Sequence, residues 1–396
     1  MKRVILFAHT TMTLFTCVYY SSKLKSHDKR IKTVLIWTNS TSYNISIRAF
    51  SSFFDETYTV SGGIGDGKRF SLDHYMKYLE CRSYLRKSDI GRMLAEHYER
   101  EILMTGSDYN NIMKSIIDIF SRKRNRHRVI LFEEGLALYD AKRTTVKDVI
   151  SYFSGKKKDE LAVIGQSAKL NVIFAQHPEE LPAWKKRDRI VIQQSDVFSD
   201  ASLMKEMLSK ETCLAKMQNR LLGKKVLLYL GQPIRVFDND FRLTDERAFI
   251  EQIVNIMPED YVILIKGHPR EPFSKYQYFE SNPRCVLFDK RISWYPMEFL
   301  LPLFDVKYVM AFASSAAINI AERVEGCRAV YTYKCMKVDI PQAWRTMLER
   351  TDNKVVVPDT VEKIQIILQA DTFVDNDDGL PKRNNKDLKY LFNYLA

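Results

Sequence analysis

Two stretches of this chain set ionisable side chains where an apolar run gives way to a chain reversal. In YVILIKGHPREP, Tyr261 to Pro272, the run ends in Lys266, Gly267, His268, Pro269 and Arg270. In RVILFEEGLALYD, Arg128 to Asp140, it ends in Glu133, Glu134 and Gly135. A histidine flanked by two cations suits a phosphate or another anion, which it can stabilise or protonate as negative charge develops. Gly267 permits close approach and Pro269 fixes the turn while removing a backbone donor. Paired carboxylates beside a glycine suit a general base that takes a proton from a hydroxyl. The plain alternatives are a histidine that caps a turn and a polar turn.

Three further stretches match these. YVMAFASSAAINIAERV brings Ser314 and Ser315 to the point where a strand yields to a helix, so hydroxyls and helix N–H groups offer an anion site, or a serine merely caps the helix. SWYPMEFLLP opens a short apolar helix with Glu298, a carboxylate able to accept both hydroxyls of a ribose, or one that only favours the helix N-terminus. LLYLGQPI places Gly231, Gln232 and Pro233 in a turn after a strand. Together they outline a nucleotide pocket. FAQHPEE supplies an internal control, because His177 and Pro178 also end an apolar run but acidic Glu179 and Glu180 follow. His177 is therefore expected to be structural.

These residues need a scaffold that delivers them to one edge. Short apolar runs alternate with helical patterns along the chain, the signature of parallel sheets covered by helices. Expected strands are RVILFAH, TVLIW, ETYTV, RVILFEE and NVIFAQ in the first half, then KVLLYLG, YVILIKG, RCVLFD, YVMAFA and AVYTY in the second. Residues 1–178 form one expected domain, 179–223 an irregular helical linker, and 224–396 a second domain. In open α/β sheets ligands bind beyond the carboxyl ends of the strands, where every motif above falls. The opening MKRVILFAHTTMTLFTCVYYSS has the outline of a secretory signal. His9 and the threonines interrupt its apolar run, however, and it is expected to form the first strand and helix.

Composition sets wider bounds. The 396 residues are 45% hydrophobic and 28% charged, which excludes a disordered or fibrous chain and suits two globular domains. Cys17, Cys81, Cys213, Cys285, Cys327 and Cys335 include no CxxC pair, so neither a zinc site nor a disulfide framework is expected and the compartment is reducing. The formal charge of +12 fits nucleic acid, an anionic membrane surface or an anionic substrate. The basic runs SRKRNRHR and WKKRDR carry few interleaved aromatics, which speaks against nucleic acid. DND at Asp238 to Asp240 mimics a metal-binding DxD but follows a glycine turn, and GGIGDG from Gly62 lacks the GxGxxG spacing of a dinucleotide loop.

The ordered set EEG, LGQP, KGHPR, a helix-opening glutamate and SS, between Arg128 and Val324, resembles the bacterial sialyltransferases of the lipooligosaccharide sialyltransferase and polysialyltransferase families. The resemblance implies an α/β GT-B fold, two Rossmann-like doubly wound domains facing a central cleft. It also implies transfer of sialic acid from CMP-sialic acid to a galactoside or sialoside of a capsule or lipooligosaccharide, with inversion and with neither metal nor cofactor. Glu134 would then be the base, with Glu133 the second choice. His268, helped by Lys266 and Arg270, would stabilise the departing phosphate, Ser314 and Ser315 would hold it, and Glu298 would take the ribose. Gly231, Gln232, Pro233, Gly267 and Pro269 complete the expected donor site. One departure matters: the lipooligosaccharide branch has an aspartate after the glycine turn, whereas Ile234 follows GQP here, so the base is placed in EEG. The expected location is the cytoplasm, with peripheral contact to anionic lipid at the inner face of the membrane and no nucleic-acid partner. Transferases using CMP-Kdo or CDP-glycerol, and a non-catalytic basic protein binding anionic glycan or nucleic acid, are the alternatives. The acceptor sugar, the linkage, single or repeated addition and the oligomeric state are left open.

Overall fold

The computed structural model describes residues 2–38, 47–60, 72–122, 126–140, 163–197, 200, 202–203, 206, 212–234, 243–268, 271–290, 292–293, 295–301, 304–324, 326–340, 342, 345, 348, 354–370 and 385–396. Pro269, Arg270, the GGIGDG stretch, Asp238 to Asp240 and part of SRKRNRHR lie outside them. The chain divides into two units, Met1–Val197 with Arg383–Ala396, and Phe198–Lys382. Among the described residues no helix is long and apolar enough to cross a membrane.

The first unit is built on a seven-stranded sheet in the order β3-β2-β1-β4-β5-β6-β7. Its strands are β1 (Lys2–Ala8), β2 (Ile31–Thr38), β3 (Glu56–Val60), β4 (Arg100–Thr105), β5 (Arg126–Phe132), β6 (Val172–Ala175) and β7 (Ile190–Gln193). Every neighbouring pair is parallel, and the order reverses between β1 and β4. That reversal is the topological switch point of a doubly wound sheet, where ligand sites form. The signal-like opening is β1 followed by helix α1 (Thr11–His27). The threonines that interrupt its apolar run begin the helix: the Thr10 side chain accepts from Thr13 N and the Thr13 side chain accepts from Thr10 N, a reciprocal capping box.

The expected strands β1, β2, β3, β5 and β6 are present, and β4 and β7 join them. β4 escapes a hydropathy reading because it begins with Arg100 and Glu101, yet Glu101 is fully buried. Glu101 stands in register with Arg3 of β1, whose guanidinium donates to Glu101 Oε1 from both Nε (2.9 Å) and Nη2 (2.5 Å). Arg3 Nη1 also reaches the Met93 carbonyl at 2.8 Å, and the guanidinium lies 4.1 Å from the Tyr98 ring centroid. A charge so paired can sit inside a central strand.

Two boundaries differ from expectation. Residues 179–223 are not one linker, because β7 hydrogen-bonds to β6 and completes the first sheet. The last helix, Lys386–Leu395, belongs to the first unit as well. Its buried Asp387 accepts from Tyr20 Oη and from Ser195 N, each at 2.7 Å, which ties residues far apart in sequence into one core.

The second unit repeats the plan with a six-stranded parallel sheet ordered β10-β9-β8-β11-β12-β13. Its strands are β8 (Lys225–Leu230), β9 (Tyr261–Lys266), β10 (Cys285–Leu287), β11 (Val306–Ala311), β12 (Arg328–Tyr331) and β13 (Val355–Val356). Five were expected, and β13 is a two-residue edge strand too short for a periodic signal. Helix Leu243–Ile256 lays Phe249, Ile250 and Ile253 against Leu227, Ile263 and Tyr308 of the sheet. The order reverses between β8 and β11, which defines this unit's switch point.

Arg3→Met is expected to destabilise the first unit by about 3–5 kcal/mol, because it strands the Glu101 charge in the interior. Urea unfolding of that variant, and of the double variant with Glu101→Met, checks this. The double variant should recover most of the loss.

Candidate active site

In the second unit three strands end in one row, with Leu230 in register with both Lys266 and Ala311. Gly231, Gln232 and Pro233 follow the first, Gly267 and His268 the second, and Phe312 to Ser315 the third. Gly231 N donates to the Lys266 carbonyl at 2.8 Å and prolongs the ladder by one bond. Gln232 then bridges the switch point, because its side-chain oxygen accepts from Ala313 N at 2.6 Å. Pro233 leads into Ile234, which is buried in the core. The position after the glycine turn is thus a packing position.

Ser314 is the N-cap of helix Ser315–Arg323, and its hydroxyl accepts from Ala316 N at 3.3 Å. The Ser314 carbonyl accepts from Tyr331 Oη at 3.1 Å. The capping alternative therefore accounts for Ser314, while Ser315 is the half-buried first residue of the helix, beside its N–H groups. His268 is half-buried, and its carbonyl accepts from Glu271 N at 2.9 Å, which closes the turn behind it. Lys266 is buried, with Nζ 5.7 Å from the Phe288 ring centroid. Burial pushes its pKa down to about 8, while the negative charge of Glu298 acts in the opposite sense. Glu298 is itself buried in the first turn of the short helix Met297–Leu300. Gly231, Gln232, Pro233, Lys266, Gly267, His268, Ser314 and Ser315 thus share the carboxyl edge of one sheet, and the Glu298 charge acts on Lys266. Pro269 and Arg270 lie outside the described residues.

The motif glycines have a cause that sequence reasoning missed. A Cβ on Gly231 would stand 2.1 Å from Tyr276 Oη, and one on Gly267 would stand 3.2 Å from Tyr276 Cε2. Both make room for one ring. Tyr276 Oη donates to Glu246 Oε1 at 2.9 Å, and Tyr229 Oη donates to the same oxygen at 3.0 Å. Lys275 Nζ lies 2.6 Å from Glu246 Oε2 and 2.5 Å from Glu271 Oε1, and it donates to the Gln232 carbonyl at 3.3 Å. Burial, with the nearby Glu246 charge, pushes both tyrosine hydroxyls well up in pKa, so they stay protonated as donors. The cluster ties the turn after β8 to the turn after β9. The i, i+4 pair Glu271 and Lys275 was its one sequence signal.

In the first unit the two adjacent glutamates have separate environments. Glu133 is buried at the end of β5, where its Oε2 accepts from Gln176 N at 2.6 Å and from the Tyr139 hydroxyl. Its backbone N–H donates to Gln194 Oε1 at 2.7 Å and to the Phe174 carbonyl at 2.9 Å. Glu134 is more open. Its Oε1 accepts from Thr10 Oγ1 at 2.5 Å, and its Oε2 lies 3.3 Å from His9 Nε2. His9 and Thr10 follow β1 directly, and neither was singled out in the sequence as a site residue. The His177 backbone N–H donates to Tyr139 Oη at 3.0 Å, a structural contact in the Glu133 cluster. An open cavity of about 570 Å³ in this unit is lined by Pro178, Glu179, Val191, Ile192, Gln193 and Lys386, none of them a candidate residue.

Two parallel-sheet Rossmann-like halves define an α/β protein of the GT-B type, and solved structures bear out that fold. The UDP-GlcNAc 2-epimerase from Methanocaldococcus jannaschii in complex with UDP-GlcNAc and UDP is similar with a TM-score of 0.60 at 15% identity, covering 100% of this chain and 99% of that one. The sialyltransferase from Photobacterium damsela is similar with a TM-score of 0.50 at 13% identity, covering 90% of this chain and 81% of that one. No curated protein sequence matches the chain. The model of the alpha-2,8-polysialyltransferase family matches residues 23–334, and the chain belongs to that family. It is a sialyltransferase, so a nucleotide-sugar donor and a glycan acceptor are its substrates.

Gly231→Ala is expected to expel the Tyr276 ring and break its bond to Glu246. Thermal unfolding should then fall by several degrees, about the effect of losing 1–3 kcal/mol from a buried network. Differential scanning calorimetry of the purified chain measures this, and an unchanged midpoint would show that the ring is not wedged as described.

Proposed function

We propose that this protein transfers sialic acid from CMP-sialic acid to a hydroxyl of an acceptor glycan, with inversion at the anomeric carbon and without a metal. The observation that carries the donor side is the gathering of Lys266, His268 and the N-terminus of helix Ser315–Arg323 along the carboxyl edge of the second sheet, beside its switch point. Cationic, imidazole and N–H groups there suit a single phosphate whose charge grows as the glycosidic bond breaks. Glu298 takes the ribose hydroxyls. On the acceptor side Glu134 removes the hydroxyl proton, the oxygen bonds to the anomeric carbon, and the bond from that carbon to the phosphate oxygen breaks as CMP leaves. The family description favours a sialoside acceptor and repeated addition. Work in the cytoplasm, with the net positive charge drawing the protein to anionic lipid, belongs to the same proposal.

CMP release from CMP-sialic acid in EDTA, with and without galactosides and sialosides, tests it. Acceptor-dependent release supports it, and release only from CMP-Kdo or CDP-glycerol would overturn the donor. His268→Ala and Glu134→Ala are each expected to lower the rate by about 10²–10⁴-fold, the range for acid–base groups. His177→Ala should be nearly silent.

The depressed pKa of Lys266 adds a pH dependence. Below about 8 its ammonium is charged and meets the donor phosphate without taking up a proton. Above it, binding must protonate Lys266, so CMP affinity should fall by up to about tenfold per pH unit. Titration calorimetry between pH 7 and pH 9.5 should show that fall for the native chain and a flatter profile for Lys266→Met.

A further inference from the structure

Around Glu134 the structure assembles more than one carboxylate. Three adjacent strand ends of the first sheet, those of β1, β4 and β5, meet there at the switch point. Gly106, just after the middle strand, makes the meeting possible, because a Cβ at that position would stand 2.5 Å from Thr13 Cγ2 and 3.4 Å from Glu134 Cβ. The first turn of α1 and Glu134 thus approach across the backbone of β4's end.

We infer that His9 is a positioning residue for acceptor activation, holding the Glu134 carboxylate together with Thr10. The inference rests on Glu134 being the base. Each carboxylate oxygen has its own neighbour, Thr10 Oγ1 at Oε1 and His9 Nε2 at Oε2, which fixes the plane of the group. The side chain of His9 is 9% exposed and that of Glu134 is 20% exposed, so the carboxylate stands outermost and the imidazole supports it from within. The imidazole is fixed in turn. Its ring stacks on Phe7 at 6.1 Å between centroids and 23° between planes. The backbone N–H groups of His9 and Thr10 both donate to Thr13 Oγ1, at 3.0 and 2.9 Å.

The helix adds an electrostatic reason. The N-terminus of the 17-residue α1 favours negative charge within its first turn, where Thr10 meets Glu134. Cys17 of the same helix senses that carboxylate, since its thiol is pushed well up in pKa by burial first and by the Glu134 charge second. Glu133 does not compete for His9, because its carboxylate is bound to Tyr139 and Gln176 N.

The test uses the full chain, CMP-sialic acid and a sialoside acceptor, with kcat and both KM values measured for His9→Leu, His9→Gln and Glu134→Gln beside thermal unfolding. Glutamine places an N–H close to the Nε2 position, whereas leucine fills the space without one. His9→Leu is expected to lower kcat by about 10²-fold, the cost of a misplaced reacting group, with the donor KM unchanged. His9→Gln should recover most of that rate. A His9→Leu enzyme with native kcat, or a His9→Gln enzyme as slow as His9→Leu, overturns the inference. Loss of activity that only tracks a fall in unfolding temperature does so too. An active Glu134→Gln enzyme instead removes the base assignment beneath it, so the two failures are told apart.

Discussion

The carboxylate of Glu246 is buried at the start of helix Leu243–Ile256, and the carboxyl edge of the second sheet is arranged around its charge. An interior carboxylate needs donors on several sides, and here it has two tyrosine hydroxyls and an ammonium. Meeting that need places Tyr276 under the turns after β8 and β9, and the space its ring takes forces glycine at 231 and crowds position 267. Lys275, drawn to the same carboxylate, has reach left for the Gln232 carbonyl and for Glu271, whose N–H holds the His268 carbonyl. Gln232 in turn fixes Ala313 and so the start of helix Ser315–Arg323. One buried charge is thereby connected to the turns that carry Gly231, Gly267, His268 and Ser314.

This chain of contacts explains what could be read in advance and what could not. Apolar strands interrupted by turn residues are a local signal, and each of the ten expected strands is present. β4 was not legible because Glu101 reads as a surface residue until Arg3, a residue of another strand, is known to stand beside it. β7 lies among charged residues on a sheet edge, where Ile190 is exposed, so its pattern is weak. Motifs at strand ends were legible because chemistry-bearing residue types crowd into a few positions. Tyr276, Lys275 and Glu246 were not, since nothing in their own stretches marks them as facing Gly231 and Gly267.

The glycines show the limit most clearly. Their presence was legible, and the freedom of approach they provide was the right physical idea. The partner that approaches is the protein's own tyrosine ring. A turn at a binding edge must be held from beneath as well as left open above, and Gly231 serves the first need.

The two glutamates of the first unit illustrate a related division of labour. Successive residues at a strand end face opposite ways, so a pair such as Glu133 and Glu134 cannot place both carboxylates in one environment. Glu133 turns into the protein, where Tyr139 and Gln176 N bond its carboxylate while Gln194 and Phe174 hold its backbone. A group so engaged would have to break a buried network before it could accept a proton from a substrate, and that cost opposes a catalytic role. Glu134 turns the other way, toward the first turn of α1, where only its outer face is left to solvent. The inner glutamate fixes the strand end and the outer one presents a carboxylate, which separates two residues that their sequence context alone leaves equivalent.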